Sequence, residues 1–205
     1  MIGIIDYGMG NLLSVFNAFD YLGAETIICH TPEEIERCEK IVLPGVGAFE
    51  NCIRNLQKKN FISALNDFAF TKKRPVLGIC LGMQAMAKKS YEFGEHAGLG
   101  WFDAEVIKIV PTSPTLRVPH VGWNDIIYRK ESPLFVGLPE HPDFYFVHSY
   151  FMKCKDSHDV DATFEYGGTY TAAVRKDNIL ATQFHPEKSQ DYGLKIIENF
   201  LNWLP

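Results

Sequence analysis

Several features that would mark the chain as nucleic-acid-binding, secreted or membrane-bound are missing. It has no run of basic residues, and its 20 lysines and arginines are outnumbered by 25 aspartates and glutamates, for a net charge of −5. That balance argues against nucleic acid and against an anionic membrane surface, and leaves small molecules or protein as partners. The five cysteines, Cys29, Cys38, Cys52, Cys80 and Cys154, are odd in number and include no CxxC spacing. Neither a disulfide framework nor a zinc site is indicated, no cofactor is called for, and a reducing, cytoplasmic setting is expected. No apolar stretch approaches the length of a membrane span, and Met1-Ile2-Gly3-Ile4-Ile5-Asp6 lacks the basic flank of a signal peptide, so it reads as a first strand. Repeats, linkers and low-complexity tracts are also lacking. With 46% hydrophobic residues among 205 positions, one domain with a sizeable core is expected.

The first ninety residues alternate short apolar runs with helical spacing. Ile2 to Asp6 is followed by Leu12, Val15, Phe16, Phe19 and Leu22 at helical intervals. Ala24 to Ile28, Ile41 to Leu43 and Val76 to Ile79 are the next strands, and Thr31-Pro32-Glu33-Glu34 opens a helix with a capping threonine and a proline in the first turn. This alternation predicts an α/β fold with a mostly parallel central sheet flanked by helices in three layers. After Gly100, β-rich segments crowd together: 104–109, 125–128, 144–147, 151–154, 163–166, 170–174 and 179–182. They predict a mixed or antiparallel extension. Pro111 to Pro119 reads as a loop, and Leu194, Ile197, Phe200, Leu201 and Leu204 as the buried face of a last helix.

Chemistry concentrates at two points. Cys80 sits in Gly78-Ile79-Cys80-Leu81-Gly82, between the run Pro75 to Ile79 and the helix-forming Met83-Gln84-Ala85-Met86-Ala87. A thiol at a sharp strand-to-helix turn flanked by glycines is placed as a nucleophile, and a following helix N-terminus favours the thiolate. Without a partner, a small buried cysteine at a strand end is the commoner explanation, and flanking glycines alone do not overturn it. The partner is Gln183-Phe184-His185-Pro186-Glu187-Lys188-Ser189, after the apolar run Asn178 to Thr182. An imidazole takes and returns a proton near neutral pH, and Glu187, two residues on across a stiffening proline, is spaced to orient the ring.

Three glycine-rich turns follow predicted strands: Asp6 to Asn11, Pro44-Gly45-Val46-Gly47 and the cysteine elbow. In open α/β sheets such turns gather at the carboxyl ends of strands, so the three are expected on one rim. Acyl transfer from a thiolate creates an oxyanion, and the backbone N–H groups of Val46, Gly47 and Leu81 are the candidate donors. Gly8-Met9-Gly10 lacks the third glycine of a dinucleotide fingerprint.

These segments, with Pro119-His120-Val121-Gly122-Trp123-Asn124 and Tyr145-Phe146-Val147-His148-Ser149-Tyr150, resemble the class I, triad-type glutamine amidotransferases over essentially the whole chain. Among these the resemblance is greatest to the glutaminase subunits of bacterial imidazole glycerol phosphate synthases, where Val121 is more often methionine. The resemblance implies a single amidotransferase domain over 1–205, with Cys80 attacking glutamine and His185 and Glu187 completing the triad. It places Gln84 at the substrate amide, Glu92 at the α-ammonium, and the backbone of His148, Ser149 and Tyr150 at the α-carboxylate. It further implies a heterodimer with a (β/α)₈ cyclase subunit acting in histidine biosynthesis, contacted through Asn11, Ser14, Pro119, Trp123 and Lys188. On residue type alone, Gln84 and Glu92 are equally solvated surface groups, His148 a buried structural histidine and Trp123 a core aromatic. A glutaminase serving another synthase, such as one aminating a surface sugar, and a stand-alone γ-glutamyl hydrolase remain alternatives.

Overall fold

The structure is a computed structural model and describes residues 1–205. In chain order its elements are β1 (Ile2–Ile5), α1 (Leu12–Tyr21), β2 (Thr26–Cys29), α2 (Pro32–Ile35), β3 (Lys40–Leu43), α3 (Phe49–Lys58), α4 (Phe61–Asn66), β4 (Val76–Ile79), α5 (Leu81–Ala85), β5 (Ala87–Ser90), β6 (His96–Ala97) and β7 (Phe102–Lys108). They continue with β8 (His120–Asp125), β9 (Ile127–Tyr128), β10 (Asp143–His148), β11 (Tyr150–Cys154), β12 (Val160–Glu165), β13 (Thr169–Lys176), β14 (Ile179–Thr182) and α6 (Gln190–Asn202).

The main sheet runs β2-β1-β3-β4-β14-β13-β12-β9. Its first five strands are parallel and the remaining pairings antiparallel, which gives the mixed sheet expected. Every residue of β1, β3, β4 and β14 is buried, as befits central strands covered on both faces. One face packs on α1 and α6 through Val15, Phe19, Ile196, Ile197 and Phe200, with Phe19 and Phe200 edge to face. The other packs on α3, α4 and a second sheet, β11-β7-β5-β6, through Phe49, Leu56, Phe61, Phe102 and Met152. Lys40, the one charged residue of the central strands, sends its ammonium to the carbonyls of Phe200, Leu201 and Trp203, neutralising the C-terminal end of α6.

Local differences from the sequence reading have tertiary causes. The helix expected over 83–87 runs Leu81–Ala85 instead, because the N–H groups of Leu99, Gly100 and Trp101 take the carbonyls of Ala85, Ala87 and Met86 and draw 87–90 into a sheet. β8 was not anticipated, since Gly122 and Asn124 interrupt its pattern; pairing with β10 from His120–His148 to Asp125–Asp143 makes it a strand. The segment 125–128 is divided: Asp125 ends β8, while Ile127 and Tyr128 join the edge of the main sheet. Leu204 lies beyond the end of α6 and is 85% exposed, so it belongs to no buried face. The Thr31 start is realised as a capping box, with the Glu34 carboxylate accepting the Thr31 N–H at 3.1 Å.

Strand order also locates the crevice. The chain leaves β1 toward β2 on one side and returns to β3 on the other, so a cleft opens at the carboxyl ends of β1 and β3.

Candidate active site

The three glycine-rich turns meet at that cleft. The Tyr7 hydroxyl, fully buried, donates to the Pro44 carbonyl at 2.9 Å. A Cβ on Gly45 would lie 2.2 Å from that hydroxyl and 3.0 Å from the Leu81 Cβ, so only glycine fits where the second turn passes between the first and the elbow. The shared rim is therefore built by close packing, with the Tyr7 side chain wedged against the second turn.

Cys80 has φ 52° and ψ −106°, a conformation costly for a residue carrying a Cβ. Flanking bonds hold it there: its N–H donates to Thr182 O at 2.7 Å, and its carbonyl accepts the Gln84 N–H at 3.1 Å. Gly82 lets the turn approach β3, since a Cβ would sit 1.7 Å from Leu43 O. The helix beyond is only five residues long, which limits what its dipole contributes at the sulfur.

β14 lies beside β4 in parallel register, Thr182 opposite Ile79, and so delivers the residues that follow it next to Cys80. His185 is held by its backbone: its N–H donates to Tyr145 O at 3.0 Å, and its carbonyl accepts the Ser189 hydroxyl at 2.7 Å. Pro186 starts a single 3₁₀ turn that brings Glu187 back under the ring, with Oε1 2.8 Å from Nδ1. Both side chains are almost fully buried. Nδ1 bound to a carboxylate leaves Nε2 without a hydrogen-bond partner, and its neighbour is the Cys80 sulfur. Burial by itself drives the imidazole toward its neutral form. The Cys80 sulfur as thiolate and the Glu187 carboxylate outweigh burial, and the His185 pKa is pushed up to about 10.

A cavity of about 400 Å³ opens over Cys80. Val46 and Gly47 line it, and neither of their N–H groups donates a hydrogen bond within the protein. Leu81 also lines it, but its N–H donates to Gly45 O at 3.3 Å. Of the three expected oxyanion donors, the elbow amide is thus engaged by the neighbouring loop rather than free.

Gln84 and Glu92 line the same cavity, and neither is a solvated surface group. Gln84 is buried, and its Nε2 donates to Tyr150 O at 2.8 Å and Gln183 Oε1 at 2.9 Å. Glu92 accepts the Phe49 N–H at 2.6 Å, sealing the N-terminus of α3 from a distance. His148, Ser149 and Tyr150 form the opposite wall. The His148 ring is buried and pushed down to about 3, chiefly by desolvation, and His120 beside it down to about 4 for the same reason. Its Nδ1–H donates to Tyr150 O at 2.8 Å, so its Nε2 accepts from His120 Nδ1 at 3.2 Å.

The expected partner contacts divide. Pro119 and Lys188 line the cavity mouth. Trp123 is 45% exposed, settling against a core role, and sits 6.1 Å from the Tyr145 ring, with the Lys188 ammonium 5.9 Å from that ring on its way to the cavity. Asn11 and Ser14 lie outside the cavity at the start of α1, where the Asn11 side chain caps the helix by accepting the Ser14 N–H at 3.4 Å. Leu13 in α1 and Val121 in β8 are also exposed. Sequence reasoning quoted Gln183 within its motif without giving it a role; the available signal was a polar residue ending an apolar strand run.

The chain is similar to known proteins along its full length. A family model described as glutamine amidotransferase class-I matches residues 3–203. The imidazole glycerol phosphate synthase subunit HisH 1 of Campylobacter jejuni (strain RM1221) is 46% identical over 201 residues, covering 98% of this chain and 99% of the relative. The subunit HisH of Sulfurimonas denitrificans is 48% identical over 205 residues, covering 99% and 98%. Among solved structures, PurLQS from Thermotoga maritima matches with a TM-score of 0.77 at 16% identity, covering 100% of this chain and 98% of that one. A crystal structure of a glutamine amidotransferase matches at 0.75 and 19% identity, covering 97% and 98%. On the family model and on relatives of this identity and coverage, the chain belongs to the class-I glutamine amidotransferases.

Proposed function

We propose that the chain is the glutaminase subunit of an imidazole glycerol phosphate synthase, with Cys80, His185 and Glu187 as its catalytic triad. The observation that carries this is the strained Cys80 beneath a cavity, with the Glu187-bound His185 as the sulfur's neighbour. In the proposed reaction the Cys80 thiolate attacks the side-chain amide carbon of glutamine, and the carbonyl electrons move onto oxygen. As the tetrahedral adduct collapses the C–N bond breaks, and the proton on His185 Nε2 goes to nitrogen, which leaves as ammonia. His185 then takes a proton from water, whose hydroxide attacks the thioester carbon. The C–S bond breaks, and glutamate leaves with Cys80 again a thiolate.

The oxyanion would be received by the Val46 or Gly47 amide with that of Leu81. Because Gly45 O holds the Leu81 N–H, the 45–47 loop must shift for the elbow donor to act, which supports weak hydrolysis by the free subunit. Gln84, Glu92 and the 148–150 backbone supply the groups a glutamine side-chain amide, α-ammonium and α-carboxylate require, in that order.

Ammonia released into water would be protonated and lost as a nucleophile, so the reaction is useful only beside an acceptor site. The full-length similarity to subunits named for imidazole glycerol phosphate synthase supports a cyclase partner, docked over the rim of Pro119, Trp123 and Lys188 with Asn11 and Ser14 at its edge. Ammonia would pass to a phosphorylated ribulosyl aminoimidazole carboxamide bound there. Glutamate release is to be measured with the chain alone, with the cyclase, and with cyclase plus its ligand. Weak activity alone and strong stimulation by the ligand-bound cyclase are expected; full activity of the free chain would overturn the coupling, and no activity in any mixture would overturn the function.

A further inference from the structure

The Cys80 sulfur has a neighbour that the triad does not account for. Gln183, the last residue before Phe184-His185, is fully buried, and its Nε2 lies 3.6 Å from Cys80 Sγ. That the amide presents nitrogen rather than oxygen follows from fixed groups elsewhere in the network. Tyr150 O is a backbone carbonyl and only accepts, so the Gln84 atom 2.8 Å from it is the NH₂. The second hydrogen of that NH₂ goes to the Gln183 atom 2.9 Å away, which is therefore oxygen. Gln183 is left with its NH₂ toward the sulfur.

We propose that Gln183 is a further catalytic residue of this site, donating a hydrogen bond from its side-chain amide to the Cys80 sulfur and so stabilising and aiming the thiolate. Gln84 acts through it as a positioning residue, and Tyr150 O anchors both. A hydrogen bond to an ionised acceptor is worth about twice a neutral one, and inside a sealed site it is not diluted by water. The direction is complementary to that of His185: the imidazole exchanges a proton with substrate, whereas an amide donor has no proton to give up and holds the sulfur's charge before attack and again as the C–S bond breaks. His185 and Tyr7 are the titratable groups coupled to the sulfur, with His148, Glu92 and Lys188 on the walls of the same cavity, and the Tyr7 hydroxyl is already donated to Pro44 O. Gln183 is accordingly the neutral donor at the sulfur.

This assignment rests on the glutaminase function proposed above, but its test does not need turnover. The pH dependence of Cys80 alkylation by iodoacetamide, followed by mass spectrometry of the Cys80 peptide, is to be measured in the intact chain and in Gln183→Glu and Gln183→Leu, with thermal melts to check folding. Gln183→Leu removes the donor without adding charge and is the deciding variant; Gln183→Glu is isosteric and keeps an oxygen for Gln84, but also sets a carboxylate beside the sulfur. Both variants are expected to move the alkylation midpoint upward by roughly one pH unit, and, in the cyclase complex, to lower kcat about tenfold or more with KM little changed. A midpoint equal to wild type in a folded Gln183→Leu chain, or in Gln183→Glu where the Gln183→Leu chain does not fold, would overturn the assignment. Loss of cooperative melting in both variants would equally overturn it, by making the network structural. Should the wild-type complex hydrolyse no glutamine while the midpoint still moves, the function fails and the role of Gln183 at the sulfur stands.

Discussion

His185 and His148 lie close enough for the charge on one to act on the other, and both are nearly sealed from solvent, yet they end in opposite states. His185 is pushed up to about 10 because the Cys80 sulfur beside its other nitrogen and the carboxylate that takes its Nδ1–H together outweigh burial. His148 is pushed down to about 3 because its bonds run to a carbonyl and a second neutral histidine, neither of which rewards a positive charge enough to offset desolvation. Burial pushes both rings toward neutrality, and a histidine stays charged only where negative neighbours outweigh it. At His185 this sets a protonated imidazole beside the Cys80 sulfur, as the proposed triad requires. In the second corner it creates a neutral wall that fixes the 148–150 backbone, which suits recognition rather than proton transfer.

The comparison is most directly broken at the sulfur. Cys80→Ala is expected to abolish glutamine-dependent synthesis by the complex while leaving ammonia-dependent synthesis by the cyclase intact, and to let the His185 pKa fall, as read by NMR titration of the ring. Loss of both syntheses would give Cys80 a structural role. A smaller effect is expected for Glu187→Gln, where the amide oxygen still accepts Nδ1–H but no longer stabilises the imidazolium: kcat falls about 10²-fold, and the His185 titration moves down from about 10. An unmoved titration would show that the sulfur alone sets the charge.

Stability against pH sharpens the contrast, because the two corners act in opposite directions. With a folded pKa above the unfolded value of about 6.5, His185 contributes fully below that pH and loses its contribution as pH rises through about 10. The depressed His148 and His120 contribute fully above about pH 6.5 and lose their contribution as pH falls toward 3 and 4. Melting temperature is expected to fall by several degrees between pH 6.5 and 4.5, with a flatter acid slope in His148→Gln, whose amide can still donate to Tyr150 O. An unchanged slope would mean that His148 is charged in the folded chain. The smallest effect is expected for Tyr7→Phe, which removes the tether on Pro44 O without emptying the core. The 45–47 loop loosens, and glutaminase activity in the cyclase complex changes a few-fold in kcat with KM preserved; an identical kcat would show that packing at Gly45 alone holds the loop.

Much of this site was legible because its chemistry is carried by short segments at strand ends. The elbow at Cys80 and the turn at His185 each combine an apolar four-residue strand with a sharp, residue-specific turn, and local sequence determines both. The Val46 and Gly47 amides, Gln84, Glu92, Pro119 and Lys188 likewise fall around one cavity. Less legible were features set by distant partners. The end of α5 depends on donors at 99–101, β8 depends on β10, and Glu92 spends an oxygen on α3. The Leu81 amide was assigned as a donor from its position, but which acceptor holds it depends on a loop 36 residues earlier. Gln183 stayed hidden for the same reason: its meaning lies in Cys80 and Gln84, about a hundred residues away.

The amino-acid sequence by itself determined the alternating α/β order, the strained elbow, the His-Pro-Glu turn and the family to which they belong, because each depends on residues within a few positions of one another. Only the tertiary structure decided that β14 lies beside β4, and with it the meeting of sulfur and imidazole. It also decided that one buried histidine is charged and the other neutral, and that the elbow amide is held by Gly45. Those outcomes follow from the partner each polar group finds once water is excluded, and partners brought together across a hundred residues of chain leave no local trace.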